Sequence, residues 1–321
     1  AAQAAGSLMA SPRAKALAAR LGLDIGLASP TGPAGRIIEH DVRELDRRLR
    51  EEGHTGAGAP GGEAAGSTSA PGAAGGGMAA GAAPDAGGGF FDEKLTKIRS
   101  LIADSMLHSL QSSAQLTHHH SFDASAILAL RSQFKGSGDA GAQGISIGDM
   151  ILYGAAYTLK AYPELNSHFL GGTLRRFTGV HLGVAVDTPR GLMVPTIFDA
   201  DKKSLAQISA EAKALAAQAR SGSINPDSLR GGTFTVSNLG PTGVESFTPI
   251  LNPPQVAILG VCGTVTKVRQ AGGGIEAYPS IGLSLTYDHR AVDGAPASRF
   301  AQALCRNLEQ FALLLALSSM A

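Results

Sequence analysis

Hydrophobic and polar positions divide the chain into three zones. From Pro12 onward Ala14, Leu17, Ala18 and Leu21 recur at the three- and four-residue spacing of one helix face. Ser11 stands ahead of them as a suitable N-cap. Pro12 takes the first helical position, where its missing N–H costs nothing, and Gly22 stops the helix. A turn-rich stretch, SPTGPAGR from Ser29 to Arg36, comes next, and Ile37, Ile38, Val42 and Leu45 mark a second helix. The pattern then vanishes. Residues 53–89 are Gly, Ala, Pro and Ser with almost no large side chains, too little apolar surface to offset chain entropy. About 36 residues of such coil would have an r.m.s. span of roughly 30–36 Å, which predicts a flexible tether.

Mixed periodicities return from about Phe90. Leu95, Ile98, Leu101, Ile102 and Met106 carry a helical spacing within residues 93–108. QLTHHHSFDASAILALRSQF reads as a strand entering a second helix, with Asp123 or Ser125 near its start, and Ile147 to Tyr162 as a third. GVHLGVAVDTPRGLMVPTI, with a Thr-Pro-Arg-Gly turn at its middle, reads as a hairpin. SLAQISAEAKALAAQARSG is a long amphipathic helix ending at Gly222. GTFTVSNLG, QVAILGVCGTV and SIGLSLTYDH are further strands, and Pro296 to Leu317 is mostly helical. Strands and helices without strict βαβ alternation predict an α/β fold, a mixed sandwich. The expected organisation is a linker remnant over 1–8, a small all-helical domain over 9–50, a flexible linker over 51–92 and a larger domain over 93–321.

Composition narrows the function classes. A net charge of +1 over 321 residues gives no bulk sign of nucleic-acid binding. No apolar run approaches the roughly 18 residues a membrane span needs. The two cysteines, Cys262 and Cys305, offer neither a disulfide framework nor a zinc-ligand spacing, which fits a reducing compartment.

The chemical candidate is LSLTYDHRAVDGAPASRF. A predicted strand ends at Tyr287-Asp288, His289 follows at once, and Asp293 and Gly294 come four and five residues later. A nucleophile such as a free thiol, with a pKa near ~8.5, is mostly protonated at neutral pH. An imidazole held in a turn can take that proton as attack begins. Asp293 is suited to stiffen the turn or support His289 electrostatically. Gly294 is expected to supply a backbone angle that other residues resist.

Two regions resemble one family. MASPRAKALAARLGLDI and SPTGPAGRIIEHDVREL resemble the peripheral subunit-binding domain of dihydrolipoamide acyltransferases, with Ser29-Pro30 where the family more often has Lys-Gly. FTVSNLG, FTPILNPPQVAILGV and LSLTYDHRAVDG, in this order, resemble signatures of that family's catalytic domain, and the resemblance runs from about Leu95 to Leu317. It implies a chloramphenicol-acetyltransferase-like fold and transfer of an acyl group from S-acyl-dihydrolipoyl lysine to coenzyme A, in the core of a 2-oxo acid dehydrogenase complex. By that resemblance His289 is the general base for the coenzyme A thiol, Asp293 its acidic partner, and Ser237 the hydroxyl that donates to the tetrahedral oxyanion. In the family the site lies between subunits of a trimer, which implies that His289 and Ser237 come from different copies. Acetyl from pyruvate is the expected group, with branched-chain and acetoin-derived acyl groups as alternatives.

The same resemblance implies partners. Residues 9–50 hold eight Lys/Arg against five Asp/Glu, and the family uses such charge to hold acidic surfaces of dihydrolipoamide dehydrogenase or the 2-oxo acid decarboxylase component. Arg13, Lys15, Arg20 and Arg36 are the contact candidates. Family trimers build cubic or dodecahedral cores through C-terminal apolar residues, for which Phe311, Leu313, Leu314, Leu315 and Leu317 are candidates; the usual Asp-Pro before them is absent. Asp104-Ser105 stand where the family commonly has Lys-Arg, which implies weaker contact with coenzyme A phosphates. Strand alternation sends the His118-His119-His120 side chains to opposite faces, so no metal site is expected. No Asp-Lys-Ala hairpin tip is present, so the lipoyl group is expected on a domain outside this sequence. The expected compartment is the bacterial cytoplasm, with the mitochondrial matrix as the alternative.

A chloramphenicol-acetyltransferase-like drug-modifying enzyme has no use for the small domain or the tether. A structural core that recruits partners without catalysis remains the alternative of a different class.

Overall fold

The computed structural model describes residues 10–52 and 91–318. The predicted tether falls outside the described residues. The chain divides into two units, residues 1–88 and 89–321.

In the first unit α1 (Pro12–Leu21) is capped by the Ser11 hydroxyl, which accepts from the Ala14 amide at 3.2 Å. Gly22, at φ 66°, closes it in the left-handed conformation that glycine adopts without penalty. The second helix, α2, spans Glu39–Glu52. It begins later than the apolar pattern suggested: Ile37 precedes it in an extended bridge to Ala10, where its carbonyl accepts from the Ser11 amide at 2.9 Å. Ile37 is buried with Ala14, Leu17, Ala18, Ala28, Val42 and Leu45. Asp41 is buried as well, accepting from the Thr31 hydroxyl and from the amides of Thr31 (3.1 Å) and Ile38 (2.9 Å). One carboxylate thus ties the turn-rich loop to the start of α2.

The second unit opens with α3 (Lys97–Ser112), β1 (Gln115–Asp123), α4 (Ser125–Gly136), α5 (Ala140–Gly144) and α6 (Ile147–Leu159). Short strands β2 (Ser167–Phe169), β3 (Leu174–Arg176), β4 (Leu182–Val184) and β5 (Thr196–Ile197) precede α7 (Leu205–Ser221). Then come β6 (Phe234–Asn238), β7 (Ala257–Ala271), β8 (Gly274–Asp288), α8 (Gly294–Glu309) and α9 (Phe311–Ser318). Both α6 and α7 start in reciprocal capping boxes, Ser146 with Asp149 and Ser204 with Gln207.

Six strands form one sheet in the order β1-β8-β7-β6-β4-β5, parallel at β4–β6 and β6–β7 and antiparallel elsewhere. Alternation along the strands separates two faces. Phe122, Phe234, Val236, Leu259, Ile281, Leu283, Leu285 and Tyr287 share one core with Met150 and Leu159 of α6 and Phe300 and Leu304 of α8. The other face carries Thr117, His119, Thr235, Ser237, Ser284 and Thr286. The mixed α/β expectation holds. The predicted hairpin is present as β4 and β5, but β4 also pairs in parallel with β6 along its other edge. The strands read as QVAILGVCGTV and SIGLSLTYDH extend further, into a β7–β8 hairpin turning at Gly272-Gly273. Gln310 breaks the C-terminal helix into α8 and α9.

Candidate active site

The turn between β8 and α8 is anchored at its first residue. Asp288 is buried, and its carboxylate accepts from Arg290 Nε at 2.9 and 3.1 Å and from Nη2 at 2.6 Å. It also accepts from the amides of Arg290 (3.1 Å) and Ala114 (3.3 Å). Burial pushes this carboxyl up, but the Arg290 hydrogen bonds and the two amides outweigh it and hold the pKa below the ordinary carboxylate value. The Arg290 guanidinium stacks over the Phe169 ring at 4.5 Å.

His289 comes next, its amide donating to the Ala114 carbonyl at 2.8 Å. Its backbone is therefore fixed on both sides while its ring stays half exposed. Nδ1 lies 3.8 Å from Asp293 Oδ1, close enough for charge to be felt but too long for a hydrogen bond. Asp293 occupies the N-cap position of α8, yet its side chain caps nothing and is exposed. Gly294 corrects the expectation of an unusual backbone angle, because it is absent from the positive-φ glycines. Space explains it instead: a Cβ there would sit 3.3 Å from the Tyr287 hydroxyl and 3.5 Å from His118 Cε1.

Ser237 lies near the end of β6, partly buried, opposite Gly260 of β7. Among the described residues its hydroxyl has no hydrogen-bond partner, so it is not spent on its own backbone. Gly260 pairs in turn with Ser284 of β8, and Ser284 with His119 of β1. His289 is two strands across and five residues along from Ser237. At about 4.8 Å per strand and 3.3 Å per residue the separation is roughly 19 Å. Within one chain these two side chains do not form a single centre.

The remaining candidates scatter by environment. Arg13, Lys15 and Arg36 are exposed on the first unit; the Arg20 side chain lies outside the described residues. His118 and His119 turn to opposite faces of β1, His119 Nδ1 reaching Ser284 Oγ at 2.9 Å. Asp104 and Ser105 are exposed on α3. In α9 Phe311 and Leu314 are core, whereas Leu313 and Leu317 are exposed. Both cysteines are buried, and burial pushes the Cys305 thiol up to about 12, where it is inert. Sequence reasoning missed the Asp288–Arg290 clamp, although an acid and a base two residues apart astride the candidate histidine were a usable signal.

The family model described as 2-oxoacid dehydrogenases acyltransferase (catalytic domain) matches residues 88–316. The chain belongs to this family. The e3 binding domain model matches residues 8–43 of this acyltransferase-family chain. A dihydrolipoyllysine-residue acetyltransferase component of the pyruvate dehydrogenase complex from Pseudomonas aeruginosa is 34% identical over 309 residues, covering 95% of this chain and 54% of that protein. The corresponding Azotobacter vinelandii component is 37% identical over 298 residues, covering 92% and 45%. The chain spans about half the length of these curated relatives. Among solved structures, an A. vinelandii dihydrolipoamide acetyltransferase studied for the catalytic role of a serine, a histidine and an asparagine superposes with a TM-score of 0.68 at 35% identity. It covers 71% of this chain and 95% of that one. The cubic core of a pyruvate dehydrogenase multienzyme complex gives a TM-score of 0.68 at 36% identity, with the same coverage.

Proposed function

We propose that this chain transfers an acetyl group from S-acetyl-dihydrolipoyl lysine to coenzyme A, in the core of a pyruvate dehydrogenase complex. The observation that carries the reading is one of spacing and geometry together. The A. vinelandii serine, histidine and asparagine are separated by the same intervals as Ser237, His289 and Asp293 here. In this chain those positions hold an unbonded hydroxyl, a half-exposed imidazole in a clamped turn, and a carboxylate beside it.

His289 Nδ1 faces Asp293, which leaves Nε2 for the substrate. Nε2 takes the proton of the coenzyme A thiol, and the thiolate attacks the thioester carbonyl. The C–S bond forms and the carbonyl pair moves to oxygen. Ser237 of a second copy donates a hydrogen bond to that oxyanion, since the Ser237 of the same chain is roughly 19 Å away. Collapse breaks the bond to the dihydrolipoyl sulfur, which recovers the proton from His289. Asp293 lies 3.8 Å from Nδ1, on the side of the ring away from the thiol, and its place is taken by an asparagine in the A. vinelandii enzyme.

The partners follow from the same reading. The core is a homotrimer, the exposed Leu313 and Leu317 of α9 support assembly into a larger cubic core, and the lipoyl group arrives on a domain outside residues 1–321. Residues 9–50 hold dihydrolipoamide dehydrogenase through Arg13, Lys15, Arg20 and Arg36. Acetyl transfer from acetyl-coenzyme A to dihydrolipoamide, measured for the wild type and His289→Ala, tests the reading. A loss of about 10²–10⁴-fold is expected for the variant. A folded wild type without activity would instead support a recruiting scaffold.

A further inference from the structure

Behind the His289 turn, on the helix side of the sheet, side chains from three elements are joined. The Tyr287 hydroxyl lies 3.1 Å from His118 Nε2, and His118 Nδ1 lies 2.9 Å from Ser298 Oγ. Tyr287 is the penultimate residue of β8, His118 is central in β1, and Ser298 sits one turn into α8. The two rings meet edge to face, centroids 5.2 Å apart and planes at 76°. Tyr287 is fully buried, so its hydroxyl has the imidazole to bond and no water to turn to. A neutral imidazole offers one donor and one bare nitrogen, and hydroxyls serve in either role, so both ring nitrogens are satisfied in either tautomer.

This tie bears on the second half of the turn. There the Ala291 and Val292 amides donate to the Asp288 carbonyl at 2.9 and 3.1 Å and Val292 is buried, but among the described residues no other side-chain hydrogen bond reaches the sheet. The Asp288–Arg290 clamp and the His289 amide fix its beginning. Its end is Asp293, whose side chain is exposed and unbonded within α8. Among the described residues, Ser298 to His118 is the one side-chain hydrogen bond from the first turns of α8 to the sheet. Gly294 faces the same point, where a Cβ added to it would meet the Tyr287 hydroxyl at 3.3 Å. The Tyr287 and His289 rings lie 5.8 Å apart, so a shift of the tyrosine is felt at the candidate base.

We propose that His118 is a positioning residue for His289, locking the start of α8 to the end of β8 through Tyr287 and Ser298 so that His289 and Asp293 keep one arrangement. The inference rests on His289 acting as the base. His118 itself touches no substrate; it acts through the turn. Misplacing a catalytic group by about 1 Å can cost up to about 10²-fold in rate.

The test uses the full chain in the acetyl-transfer assay with His118→Ala, His118→Gln, Tyr287→Phe and the His118→Ala/Tyr287→Phe double variant. His118→Ala is expected to lower kcat about tenfold or more, with KM for acetyl-coenzyme A changed less than about twofold. Tyr287→Phe breaks the same link while keeping the ring, so its loss should be comparable and the double variant no worse than the worse single one. His118→Gln, whose amide carries both a donor and an acceptor, should recover part of the rate. If His118→Ala does not fold, Tyr287→Phe and His118→Gln still decide the matter. Wild-type kcat in folded His118→Ala or Tyr287→Phe, losses that multiply in the double variant, or an effect confined to KM would each overturn the proposal while leaving His289 as the base. An inactive wild type would contradict the parent reading first.

Discussion

Arg290 grips the carboxylate of Asp288 with two guanidinium nitrogens at 2.6–3.1 Å, and His289 is the residue between them. The candidate base is thus carried on a strand end whose neighbours bond to each other rather than to it. Such a clamp fixes the backbone without occupying the imidazole.

Removing Arg290 leaves a buried carboxylate unpaired. Arg290→Ala should destabilise the second unit by about 2–3 kcal/mol, at or below the low end for a broken buried pair because the guanidinium is partly exposed. Arg290→Lys should recover only part of this, since a point charge cannot reproduce the planar fork. Because the folded pKa of Asp288 is depressed, the clamp's contribution is present above the unfolded carboxylate value and is lost as pH falls through the folded one. The stability lost in Arg290→Ala, measured by denaturant unfolding at several pH values, should therefore be largest near neutral pH and shrink in acid.

Gly294 is small for reasons of space rather than backbone angle. Gly294→Ala should cost less than about 1 kcal/mol, because its added Cβ is only 3.3 Å from the Tyr287 hydroxyl but meets no backbone clash. Gly294→Val should displace Tyr287 and lower kcat much more than Gly294→Ala. Thermal midpoints and steady-state rates of the two variants separate the effects.

Gly260 sits between Ser237 and Ser284 in the same row of the sheet, and Phe247 lies on it. A Cβ there would come within 2.7 to 3.2 Å of three Phe247 ring atoms. Gly260→Ala should destabilise by about 1–3 kcal/mol through overpacking. Phe247→Leu in the same chain should return part of that stability, measurable as a non-additive double-mutant cycle.

In the first unit Asp41 is the staple. The Thr31 hydroxyl first, then the Ile38 amide, hold its carboxyl below the ordinary value of 3.8. Its contribution is fully present above the unfolded pKa and disappears as pH falls below that value through the folded one. Asp41→Ala should speed amide exchange at Thr31 and Ile38 at neutral pH, whereas wild type should show this only in acid.

Much of the fold was legible because short-range signals agreed with it. Ser11, Pro12 and Gly22 bracket α1 in the sequence and in the structure alike. The apolar alternation of β8 and the periodicity of α7 likewise survive folding. What the sequence withheld depended on distant partners. Ile37 and Ile38 fit a helical spacing, but Ala10 draws Ile37 into an extended bridge. The outer half of the β7–β8 hairpin, with exposed Val268 and Ile275, has no buried face to create an alternating pattern. At the site, the order of the motifs pointed to Ser237, His289 and Asp293, but no spacing rule could disclose their separation. Only the register Ser237–Gly260–Ser284 places the serine two strands and five residues from the imidazole.

A site shared between copies can be tested by mixing two crippled chains. His289→Ala and Ser237→Ala should each be nearly inactive as pure oligomers. Dissociated, mixed in equal amounts and reassembled, they should regain roughly a quarter of the wild-type acetyl-transfer rate, because random assortment around a head-to-tail ring pairs an intact histidine with an intact serine at that fraction of sites. Reassembled mixtures that stay as inactive as the pure variants would show that the two side chains do not meet between copies.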